Sequence, residues 1–79
     1  MAAKVRSRIG RFLCELRQAL GWRQADLARA AGRSPTSLSR IETGKQRPDA
    51  ATVRLLLRIL GFSSDASRLL EILMKRGFL

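Results

Sequence analysis

Glycines 21, 32, 44, 61 and 77 divide this 79-residue chain into short stretches, each carrying apolar residues at helical spacing. Glycine suits the left-handed position just past a helix end, so the pattern predicts a succession of short helices. Ile9, Leu13, Leu16 and Leu20 line one face of a first helix that Gly21 ends. A second fits Gln24 to Ala31, with Leu27, Ala28 and Ala31 inward and Gly32 as its stop. Ser34 then Pro35 open a third, an N-cap oxygen followed by a residue with preset φ. It runs to about Thr43, Gly44 closes it, and Pro48 lies just beyond. Val53, Leu56, Leu57 and Leu60 mark a fourth helix over about Ala51 to Leu60, and Ser64 or Asp65 caps a fifth that reaches about Arg76. No segment sustains strand alternation. The expected fold class is all-α: five helices in one domain over residues 1–79, preceded by a basic lead-in at residues 1–8.

Charge points toward the partner. Sixteen Lys and Arg against six Asp and Glu give a net charge of +10. Such a field attracts polyanions, nucleic acid first, with acidic membrane or acidic protein as alternatives. Arg outnumbers Lys thirteen to three, which suits planar recognition of phosphate and guanine. With one Cys and no His, the usual zinc sites are excluded and neither metal nor cofactor is expected. The lone Cys14 fits a reducing, cytoplasmic setting. No apolar run approaches the roughly 18–20 residues of a membrane span, and no secretory h-region follows the basic N-terminus. An enzyme has little support, for there is no His, no paired carboxylate at a working spacing and no phosphate loop. RNA is disfavoured because aromatic stacking residues are scarce.

The second and third helices carry the functional signal. Between Leu27 and Leu38 lie two short helices and a turn containing Gly32, and Ala28 stands where the helices must approach. Leu27, Ala31, Leu38 and Ile41 form one apolar seam. These are the demands of a helix-turn-helix over about residues 24–43, whose second helix, 35–43, enters the major groove. On that helix Leu38 and Ile41 point inward. Thr36, Ser39, Arg40 and Thr43 point outward, with Ser37 at the border.

The stretch "IGRFLCELRQALGWRQADLARAAGRSPTSLSRIETGKQRP" resembles the Cro/CI-type (XRE-like) helix-turn-helix family of bacterial and phage regulators. Its matching parts are "RQADLA", Gly32, "SLSRIETG" and Pro48, and the similarity covers about residues 9–61. More weakly, "VRLLLRILGFSSDASRLLEILMKRG" is similar to the continuation found in longer actinobacterial regulators, which would make this chain an excised domain or a short relative.

The resemblance implies a lambda-repressor-like DNA-binding domain, repression as the commonest mode, and a homodimer on an approximate palindrome with recognition helices about 34 Å apart. It places base reading at Pro35, Thr36, Ser37 and Arg40, with Arg40 the candidate for bidentate contact to guanine. Gln24 falls on the family's phosphate-binding position. Lys45, Gln46 and Arg47, in a loop expected to offer free backbone amides, also suit phosphate, as do Ser39 and Thr43. Arg17 and Glu42 match a family ion pair that orients rather than reads. The chain departs from the family at Arg23, where a Ser or Thr N-cap is usual, and at Arg33, where an apolar turn residue is common. Both add cations near the expected DNA surface, so both are expected to contact phosphate. Lys4, Arg6, Arg8 and Arg11 form either an arm along the backbone or minor groove or a disordered basic tail. Trp22 is expected in the core at the junction of the first two helices.

The fifth helix has more apolar surface than a small domain readily hides. Leu69, Leu70, Ile72, Leu73 and Met74 are either simply buried, with Leu55 and Ile59, or part of a homodimer interface. A second reading of the whole chain is an antitoxin-like protein that binds a toxin or a sensor-domain partner and autoregulates through the same helix-turn-helix.

Overall fold

The computed structural model describes residues 8–62 and 65–77. Lys4, Arg6 and Ser64 lie outside the described residues. Among the described residues every secondary-structure element is a helix, with α1 at Arg8–Ala19, α2 at Gln24–Ala30, α3 at Pro35–Glu42, α4 at Ala50–Leu57 and α5 at Ala66–Lys75. The five-helix, all-α reading is thus what the chain adopts.

Local chemistry sets most of the boundaries. Ser34 takes an extended conformation and its Oγ accepts the Ser37 amide at 3.1 Å, with Pro35 as the first helical residue of α3. α2 ends at Ala30 with Ala31 as its C-cap, and Gly32 follows at φ +70°, with the Gly32 amide donating to the Arg29 carbonyl and the Arg33 amide to that of Ala28. The chain turns over residues 31–34, and α3 packs against α2.

The end of α1 and the start of α4 shift by one residue from expectation. Leu20 is 46% exposed, because α1 stops at Ala19 and the Gly21 and Trp22 amides fold back onto the Gln18 and Arg17 carbonyls. Leu20 keeps the helical hydrogen bond from its amide to the Leu16 carbonyl at 3.1 Å yet lies outside the core. α4 begins at Ala50, because Asp49 caps it by accepting the Thr52 amide at 2.8 Å. Its last turn, within Arg58–Phe62, is broken at Gly61, whose φ of 108° is the left-handed stop that the sequence predicts there. Leu60 stays buried within this turn.

The core gathers Ile9 and Leu13 from α1, Leu27 and Ala28 from α2, Leu38 and Ile41 from α3, and Val53, Leu56 and Leu57 from α4. Leu60, Leu70 and Leu73 close it from below, while Trp22, Leu16 and Ala31 pack at its margin. Each fully buried Leu or Ile contributes roughly 1.5–3 kcal/mol of transfer free energy. α1 crosses α3 very closely at Gly10, where any Cβ would collide with the Ile41 carbonyl oxygen.

The five apolar positions of α5 do not act together. Leu70 and Leu73 are buried and Leu69 is half-buried, whereas Ile72 and Met74 are 46% and 56% exposed. At about 100° per residue, Ile72 and Met74 lie on opposite flanks of the buried stripe, with Leu69 on the Ile72 side.

Candidate nucleic-acid interface

α3 is held by two internal supports and leaves one face outward. The outward face, with the start of α2 and the loop after α3, forms a groove lined by Gln24, Pro35, Thr36, Ser39, Arg40, Thr43, Lys45 and Gln46. Pro35, Thr36 and Arg40 are exposed and Ser39 is half-buried. Among the described residues, no hydrogen bond or ion pair engages the Arg40 guanidinium or the Lys45 ammonium. Thr43 turns its hydroxyl back onto the Ser39 carbonyl at 2.9 Å.

The one carboxylate on α3 is withdrawn from this face. Glu42 is 8% exposed, and its Oε2 and Oε1 accept from Arg17 Nε at 2.6 Å and Nη2 at 3.1 Å. Arg17 Nη1 also donates to the Trp22 carbonyl at 2.7 Å, which ties the α1–α2 turn to the same pair. Glu42's hydrogen bonds hold the Arg17 proton more tightly than usual, ahead of the opposing effect of burial. Gln24, the first residue of α2, donates its side-chain amide to Glu42 Oε1 at 2.9 Å. Its second amide hydrogen stays available to donate, oriented by a charge that is itself neutralised. The remaining polar neighbour is Cys14, whose Sγ accepts from Arg17 Nη2 at 3.8 Å. Burial first, and then the Glu42 charge, push its thiol pKa up, so it is a poor nucleophile.

The structure brings Gln24, Pro35, Thr36, Ser39, Arg40, Thr43, Lys45 and Gln46 to one groove, and places other expected contacts elsewhere. Arg33 and Ser37 are not on its walls. Arg33 Nη1 donates to Ser37 Oγ at 2.8 Å and Nη2 to Thr52 Oγ1 at 3.0 Å, so both side chains turn toward α4. The backbone amides of Lys45 and Gln46 are not available to phosphate either. Both donate to the Arg40 carbonyl, at 2.9 and 3.0 Å, as Gly44 closes α3. That leaves their side chains as the groups that can reach an anion. Arg23 and Arg47 are exposed but do not line the groove, and Arg23, at the N-cap of α2, makes no side-chain capping bond. Arg8 opens α1, and Arg11 pairs with Glu15 at 3.1 Å on its exposed side.

Sequence reasoning missed Gly10, Asp49 and Thr52. Asp49 had a readable signal, an N-cap residue just after Pro48. Gly10 and Thr52 had none, since their roles depend on elements distant in the chain.

A short helix, a turn held by a left-handed glycine and a second helix with a polar outer face define a helix-turn-helix unit. Residues 8–70 match the model of the helix-turn-helix domain family, and the chain belongs to that family. It is a DNA-binding domain of the kind used by regulators. A comparison with curated protein sequences returns no match. Among the described residues no helix is long and apolar enough to cross a membrane, and no group of His, Cys, Asp and Glu could hold a metal ion.

Proposed function

We propose that this protein is a sequence-specific, double-stranded-DNA-binding transcriptional repressor of a bacterium or phage, with α3 in the major groove. The observation that carries this reading is the groove itself. Arg40 and Lys45 stand unengaged on its walls, while the Glu42 carboxylate that would repel phosphate is drawn inside against Arg17. Arg40 is the guanine reader, through bidentate contact with O6 and N7. Thr36 and Pro35 approach neighbouring base edges, Pro35 by apolar contact. Gln24, Ser39, Lys45 and Gln46, together with Arg23 and Arg47, set the register on the phosphates, whereas Thr43 gives its hydroxyl hydrogen to the Ser39 carbonyl and has none to donate. The protein acts as a homodimer on an approximate palindrome, and the Leu69–Ile72 flank of α5 is the apolar surface offered to the second copy.

Selection of bound sequences from randomised duplexes tests this at about physiological salt. A two-fold symmetric motif is expected, and Arg40→Ala should relax one guanine in each half-site, a loss of about 1–3 kcal/mol in discrimination. Salt-sensitive binding without a selected motif would refute it.

A further inference from the structure

Arg33 has the geometry of a brace. The guanidinium forks between two hydroxyls on different elements, Ser37 Oγ at 2.8 Å in the first turn of α3 and Thr52 Oγ1 at 3.0 Å in the first turn of α4. Thr52 is 8% exposed, so its end of the fork is buried. The same residue secures the start of α4, donating its amide to Asp49 Oδ1 at 2.8 Å. Arg33, Asp49 and Thr52 share a shallow pocket with Ala31, Gly32 and Leu55, separate from the groove in front of α3. At the other end, Ser37 is bonded twice, through its amide to Ser34 Oγ and through its own Oγ to Arg33. The exposed pair in that same helical turn is Pro35 and Thr36.

We infer that Arg33 is a positioning residue for sequence reading: it fixes the first turn of the recognition helix against α4, so that Pro35 and Thr36 meet the base edges at one depth. This rests on the DNA-reading function proposed above. It also reassigns two residues, since Arg33 is then no phosphate ligand and Ser37 no base reader. A planar fork is needed, because only a guanidinium can donate to two hydroxyls in fixed directions while a lysine ammonium is a single point charge. The first turn of a helix is otherwise its loosest part, with several amides lacking intrahelical partners.

Arg33→Lys and Thr52→Val separate positioning from charge. Both keep the net charge, and Thr52→Val alters a residue that lies off the groove. Binding-site selection and salt titrations on the selected duplex are run for each beside the unaltered protein. In both variants, preference at the base pairs under Pro35 and Thr36 should fall about threefold to tenfold, the ratio commanded by one net hydrogen bond. The guanine preference assigned to Arg40, nearer the other end of α3, should hold. The slope of log affinity against log salt should also hold in Arg33→Ala, whereas loss of a phosphate ligand would reduce it by about 0.9. Arg33→Lys with unaltered preferences, or Arg33→Ala with the reduced slope and uniform weakening, would overturn the inference and leave the DNA-reading function standing. An unaltered protein that selects no motif would overturn both. Thr52→Val is the more tolerant substitution should Arg33→Ala fold poorly, since it preserves the amide that caps α4.

Discussion

Glu42 is the residue on which the site and the stability of the fold meet. Its side chain is 3% exposed and that of Arg17 10%, so neither charge has bulk water to fall back on. Removing one member of such a pair leaves the other unpaired in a low-dielectric setting, at a cost of about 3–5 kcal/mol. A domain of this size has only about 4–12 kcal/mol to lose. Glu42→Ala should therefore lower the urea midpoint drastically, while the double variant Arg17→Met, Glu42→Leu should regain most of the loss, because replacing a buried pair with apolar side chains is often neutral. The recovered fold should nevertheless bind DNA more weakly, since Gln24 then has no carboxylate to orient its amide. Equal urea midpoints for the single and double variants would show that the penalty comes from lost packing and not from the stranded guanidinium.

At the scale of elements, what could be read in the sequence was what is encoded locally. Ser34–Pro35 opened α3 and Gly32 closed α2 because caps are chemistry among neighbours in the chain. The apolar spacing of Leu27, Leu38 and Ile41 located the seam for the same reason, and the outward set of Thr36, Ser39 and Arg40 followed from it. Other features were not legible. Whether Arg33 turns to DNA or to Thr52, nineteen residues away, depends on where α4 packs. Gly10 is required by the backbone of α3, about which the first helix says nothing. The amides of Lys45 and Gln46 were spent on closing α3, a detail of loop path and not of composition. α4 itself depends on a cap that responds to pH. Hydrogen bonds from the Thr52 hydroxyl and then its amide, assisted by the Arg33 charge, hold the Asp49 carboxyl below its ordinary range. A carboxyl with a depressed folded-state pKa favours folding above its unfolded value of about 3.9 and loses that contribution as pH falls through the folded one. The urea midpoint should accordingly decline as pH drops below about 4, and Asp49→Ala should remove part of that decline while lowering stability at neutral pH. A pH profile of Asp49→Ala parallel to that of the unaltered protein would assign the acid sensitivity to other carboxylates.

For the whole molecule, charge and apolar surface pull in opposite directions. Each copy carries a net charge of +10, so two copies repel wherever the Debye length, about 10 Å at 0.1 M salt, does not screen them. The apolar flank available to oppose this is small, Leu69 half-buried and Ile72 46% exposed, with Met74 turned to the other side. A weak interface between strongly repelling partners is expected to leave the free protein monomeric at low salt. On DNA the phosphates neutralise the repulsion, so the second copy should bind beside the first with positive coupling, of the order of 5- to 150-fold for typical coupled sites. On the proposed homodimer, salt should act with opposite signs on two equilibria, weakening DNA binding through counterion release and strengthening self-association of the free protein through screening. Ile72→Glu separates them. It should leave affinity for a single half-site nearly unaltered, because α5 lies outside the groove of α3, and abolish the coupling on a full palindrome. Sedimentation of the free protein across a salt series and titration of half-site and full-site duplexes measure both terms. A variant that keeps its coupling would move the contact between copies off the Leu69–Ile72 flank. A free protein already dimeric at low salt would mean an interface larger than these two side chains can form.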